Sequence, residues 1–153
     1  VVELHESRRR LRKHMLLLLP IALPGAFVEE MLFRGVVMAD LLRSWPAWPA
    51  AVVIVSTAIF AGAHYVRKVK RRWTVVGHVM LGLLLCVAFL QTGNLWLATG
   101  LHAGGNFMIL GTRPLITNKG PGWLSGASIF PYAGAVGVIG LGLLTVLVAT
   151  HFG

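Results

Sequence analysis

Five apolar runs take up most of this sequence, at residues 15–42, 48–66, 73–90, 95–110 and 124–148. Each is close to the roughly 20 residues that a helix needs to cross about 30 Å of hydrocarbon. Inside lipid no water is at hand for backbone N–H and C=O groups, so a crossing segment has to satisfy them within itself, as a helix does. The runs therefore predict an all-α fold, a polytopic transmembrane helix bundle of about five or six helices. It forms one membrane-embedded domain over 1–153, with a basic cytoplasmic or interfacial segment at 1–14. Hydrophobic residues make up 56% of the chain and charged ones 12%, with a mean hydropathy of +0.76, so no separate soluble domain fits.

The connections carry turn formers or positive charge: "RSWPAWP", "RKVKRR", "QTGN" and "GTRPLITNKGPG". A net charge of +9 invites a nucleic-acid reading, yet the basic residues stand in short blocks beside apolar runs, the pattern of orientation signals. No nucleic-acid partner is expected; the lipid bilayer is. Threading from a cytoplasmic N-terminus puts Arg67, Lys68, Lys70, Arg71 and Arg72, then Arg113 and Lys119, on the same side as Arg8, Arg9, Arg10, Arg12 and Lys13. This predicts an N-in, C-out protein of a plasma membrane, in a prokaryote the inner one. The five tryptophans, Trp45, Trp48, Trp73, Trp96 and Trp123, fall near segment ends, at headgroup depth. The first residue is valine, so the numbering reads as starting inside a longer chain or after trimming. "SRRRLRKHMLLLLPIALPGA" resembles a signal peptide, but cleavage at Ala22 or Ala26 would cut just ahead of an acidic pair, and a retained membrane segment is the better reading. The single Cys86 sits in an apolar run as a small core residue.

Ionisable groups inside a bilayer each cost about 2.5 to 3.5 kcal/mol on insertion scales and need a partner or a task. The candidates are Glu29, Glu30, Arg34, His64, His78 and His102, with the amide of Asn106. Glu30 and Arg34, four apart with the acid first, share a helical face and can neutralise each other. Glu29 is turned by about 100° from Glu30 and is left without a local partner. "FAGAH" sets Phe60 four before His64, and "HAGGN" sets His102 four before Asn106. His78 reads as a hydrogen-bonded structural residue.

Three helices thus each bring a costly polar group, and one shared interior site lowers all of these costs together. A carboxylate and an imidazole can hold and deprotonate a water, while a second imidazole and an amide can donate to an oxyanion. These are the parts of an amide hydrolase. No serine or cysteine in the strips offers a covalent route. Glu29, His64 and His102 would also make a two-histidine, one-carboxylate zinc site, so a metal stays open as an alternative to a cofactor-free site.

"EEMLFRG", "FAGAH" and "HAGGN" resemble, in order, the EExxxR, FxxxH and HxxxN motifs of the CPBP family of intramembrane proteases, also called the ABI family. That family is related to the prenyl-protein (CAAX) processing endopeptidases of the Rce1 type. The similarity runs over residues 24–110. It implies that Glu29 is the general base, that His64 helps to bind and activate the water, and that His102 with Asn106 stabilises the oxyanion. Glu30 and Arg34 would support the site, Phe60 would pack beside it, and the mechanism would depend on glutamate without a metal. The implied substrate is a membrane-tethered peptide or protein: a prenylated CAAX type, a C-terminal sorting tail or a bacteriocin-type peptide.

Two features depart from the family. Many members carry further spans before the acidic pair, whereas 28 residues precede Glu29 here. Counted from Met15, Glu29 also lies about 21 Å deep, while His64 stands three residues from Arg67. Pro20 and Pro24 are therefore expected to kink or break the first helix, leaving 15–23 as an interfacial or tilted piece. Two non-proteolytic alternatives compete: an immunity or scaffold protein that keeps the polar residues as a structural network, and a proton-coupled carrier that uses them as a relay. The absence of a repeat speaks against the carrier.

Overall fold

The structure, a computed structural model, describes residues 2–4, 8–66, 74–112, 116–118, 120–126 and 130–152. The basic clusters at 67–72, Trp73, Arg113 and Lys119 lie outside the described residues. The fold is an all-α membrane bundle. Helix α1 (Arg8–Glu30) runs into a π-helical stretch (Met31–Met38) and then α2 (Ala39–Ser44). It is followed by α3 (Pro49–Ala63), α4 (Val75–Thr92), α5 (Leu95–Thr112), the short α6 (Gly122–Ser125), a 3-10 turn (Pro131–Ala133) and α7 (Ala135–Phe152). Strand β1 (Val2–Leu4) pairs antiparallel with β2 (Ile116–Asn118), Glu3 opposite Thr117.

Among the described residues three stretches are long and apolar enough to cross a membrane: Met15–Ser44, Val75–Thr92 and Ala135–Phe152. Helix α3, at 15 residues, reaches only about 22 Å, and α5 is diluted by the polar strip that carries His102 and Asn106. The last apolar run is shorter than expected. Its helix starts at Ala135, not at Leu124, because Gly126, Pro131 and Gly134 interrupt winding, and α6 and the 3-10 turn take up the described residues before it.

Of the kink or break expected at Pro20 and Pro24, the break does not occur. Helix α1 continues through both prolines, which sit on its exposed side. Its buried stripe is Ala22, Ala26, Glu30, Arg34 and Met38, each at most 4% exposed and each four residues from the next. A four-residue step overshoots a full α turn by about 40°, so such a stripe would spiral away from the core. The π stretch is wound more widely, and there the same step falls short of a full turn. Its drift runs the other way, and Arg34 and Met38 stay on the face of Glu30.

Helix α3 packs antiparallel on this stretch, with Phe60 edge-on to Phe33 and Val52 against Met38. Helix α4 runs back along α3, where Thr57 Oγ1 reaches the buried Cys86 sulfur at 3.7 Å. Gly93, at φ 63°, ends α4 in the left-handed turn that starts α5. Helix α5 returns antiparallel to α1, with Phe27 stacked on Trp96 at 5.7 Å. Helix α7 lies beside α4. The core joins Phe33, Phe60, Leu84, Leu85, Ala88, Ala98 and Val148. Trp45, Trp48, Trp96 and Trp123 are exposed and lie in or beside the terminal turns of the helices.

Candidate active site

Glu29 and His64 become level through the length of α3. Fifteen residues separate Glu29 from Ser44, and fifteen separate Pro49 from His64, so the antiparallel return ends beside the carboxylate. Glu29 Oε2 lies 3.8 Å from His64 Nε2 and 3.8 Å from His102 Nε2. It has no hydrogen-bond partner among the described residues.

Each imidazole is oriented through its other nitrogen. His64 Nδ1 lies 2.8 Å from the Phe60 carbonyl oxygen, which can only accept, so Nδ1 carries a proton and Nε2 is turned towards Glu29. His102 Nδ1 lies 2.7 Å from Glu30 Oε1. That carboxylate is fully buried and also accepts from Arg34 Nη1 at 3.1 Å, while Arg34 Nη2 donates to the Gly82 carbonyl at 3.1 Å. The guanidinium lies 4.4 Å from the centre of the Phe60 ring, a cation–π contact in a site shielded from water. Phe60, fully buried, touches the His64 ring at 4.7 Å and the His102 ring at 6.0 Å between centroids. Glu30 therefore does more than neutralise Arg34: it ties His102 to the same network.

A cavity of about 530 Å³ opens beside these groups, lined by His64, His102 and Asn106 together with His78, Phe130 and Tyr132. Asn106 lines it from α5 and is half-buried. His78 is hydrogen bonded, as its sequence context predicts, but its ring also lies 4.7 Å from that of His64. Helical spacing on α4 could not show this, because its side-chain partners Tyr65 and Tyr132 come from other parts of the chain. The signal in the sequence was cost alone: a third histidine in an apolar helix.

Glu29, His64 and His102 have the donor types of a zinc site. Tetrahedral bonds of about 2.0 to 2.1 Å hold ligand atoms roughly 3.3 Å apart, closer than the 3.8 Å seen here. Among the described residues no group of three His, Cys, Asp or Glu side chains has a metal-holding arrangement.

No curated protein and no solved structure matches the chain. The sequence model of one family, described as type II CAAX prenyl endopeptidase, Rce1-like, matches residues 11–108 and so covers all three polar motifs. With well over half of its length matched, and with the acidic pair, the two histidines and the asparagine in the motif order of that group, the chain belongs to the Rce1-like family of membrane-embedded CAAX proteases.

Proposed function

We propose that this protein is an intramembrane endopeptidase that hydrolyses a peptide bond of a membrane-tethered, prenylated CAAX-type substrate with a water activated by Glu29. The observation that carries this reading is the convergence of Glu29 Oε2 on two histidine Nε2 atoms, 3.8 Å from each. Such gaps are too long for direct hydrogen bonds. They suit one water placed about 2.8 Å from the carboxylate and from an imidazole.

In the proposed reaction the water gives one hydrogen bond to Glu29 and one to the His64 lone pair, which leaves its oxygen free to attack the carbonyl carbon. Glu29 takes the proton as the O–C bond forms, and later returns it to the leaving nitrogen as the C–N bond breaks. With its Nδ1 proton held by Glu30, His102 can present Nε2–H as the imidazolium, beside the Asn106 amide, to the developing oxyanion. The apolar part of the cavity, with Leu81, Met108 and Leu141, suits a substrate that carries hydrocarbon next to its peptide. By the positive-inside rule, the end of the bundle that carries His64 and His78 faces the cytoplasm of a plasma membrane.

The test is cleavage of a farnesylated, fluorogenic CAAX-type peptide by the purified protein. Glu29→Gln and His64→Ala are expected to lower kcat/KM by about 10²- to 10⁴-fold, and a chelator is expected to leave the parent rate unchanged. Parent-like cleavage by either variant would refute the assigned roles. Loss of activity on chelation would move Glu29, His64 and His102 to metal ligation.

A further inference from the structure

The cavity has a second wall that the mechanism above does not use. It is built from the first turn of α4 and the 3-10 turn before α7, and its centre is the pair His78 and Tyr132. His78 is 3% exposed, and its Nδ1 lies 2.8 Å from the Thr74 carbonyl oxygen. A carbonyl only accepts, so Nδ1 carries the ring proton. The Tyr65 hydroxyl, bonded to Thr74 Oγ1 at 2.7 Å, approaches the same nitrogen at 3.4 Å. Nε2 of the neutral ring is then an acceptor, and it stands 3.0 Å from the Tyr132 hydroxyl. Tyr132 therefore donates to His78. A phenol oxygen that donates keeps acceptor capacity of its own.

The tyrosine's seat is specific. A Cβ on residue 77 would fall 2.5 Å from Tyr132 Cδ2 and 2.9 Å from Cε2, so only the glycine found there lets the ring lie against α4. The same imidazole that accepts the Tyr132 hydrogen bond packs on His64 at 4.7 Å between centroids, so the two walls of the cavity meet at His78. An extended peptide brought next to Glu29 carries backbone N–H groups, and against the largely apolar lining of this cavity each one that loses its water needs an acceptor.

We propose that Tyr132 is a substrate-contact residue, its oxygen accepting a backbone N–H of the bound peptide, and that His78 is the positioning residue that aims it. This rests on the reading above that the cavity receives a peptide. The assignment is checked by binding, apart from turnover. In a Glu29→Gln protein, the Kd for a fluorescent farnesylated CAAX-type peptide is measured by anisotropy, alongside the Tm of each variant. Adding Tyr132→Phe is expected to weaken binding about threefold to tenfold, the worth of one hydrogen bond, with Tm nearly unchanged. Gly77→Ala, which unseats the ring, is expected to do the same. His78→Ala should weaken binding in the parent background but add little once Tyr132→Phe is present, because the two act as a unit. An unchanged Kd in Tyr132→Phe overturns the assignment, as does a Glu29→Gln protein that does not bind the peptide. Cleavage by Glu29→Gln would instead sink the role given to Glu29, and the Kd comparison would still decide on Tyr132.

Discussion

Glu29 and Glu30 adjoin in the chain and have opposite surroundings. Glu30 is fully buried and holds both Arg34 and His102, while the Glu29 side chain keeps 42% of its exposure and faces the two Nε2 atoms across a gap. Replacing one buried partner strands the other's charge, whereas altering a half-exposed carboxylate breaks no direct bond. Glu30→Gln is therefore expected to destabilise the protein by about 3 kcal/mol or more, read as a clear drop in Tm in detergent. Glu29→Gln should leave Tm almost unchanged while removing activity. A fall in Tm for Glu29→Gln equal to that for Glu30→Gln would mean that both carboxylates are structural. The helical spacing of Glu30 and Arg34 made their pairing legible in the sequence. The third member, His102, comes from 72 residues away, and its bond to Glu30 follows only from the packing of α5 on α1.

At the scale of elements, the depth at which the site forms is set by helix length and winding. The prolines at 20 and 24 read as breaks because each removes a backbone donor, but a break is needed only if α3 must span the whole membrane. It does not. Helix α3 is short enough to end level with Glu29, so α1 passes both prolines unbroken on its exposed face. Pro20→Ala together with Pro24→Ala is therefore expected to keep cleavage within about twofold of the parent and to leave Tm equal or higher, since alanine is the better helix former. A loss of activity beyond tenfold would show that a bend at these prolines places the acid. The π stretch after Glu30 has no such signature. Its effect is to hold Ala22, Ala26, Glu30, Arg34 and Met38 on one face, and the repeated four-residue interval is its only trace in the sequence.

For the whole molecule, the exposed apolar faces of α1 and α7 and the exposed tryptophans are those of a bundle surrounded by lipid. Among chains in water a core is held by hydrophobic burial; here lipid is as apolar as the core, so close packing and the satisfied polar network carry more of the specificity. The charge pattern implies an orientation that can be read directly. Cys86 is the only cysteine and is buried, so Cys86→Ala gives a background without thiols. In it, Lys70→Cys is expected to react with an impermeant maleimide only from the cytoplasmic side, and Trp45→Cys only from outside; the reverse labelling would invert the topology. What the sequence by itself determined was the class of fold, the membrane setting and the residues worth placing in a site, because lipid penalises every polar group that lacks a reason to be there. Only the tertiary structure decided which of those groups meet. Distances between helices depend on element length, on winding and on contacts between residues far apart in the chain, and none of these is recorded in local spacing. That is why Glu29, His64 and His102 could be named in advance, while the join of His102 to Glu30 and the wall of His78 and Tyr132 could not.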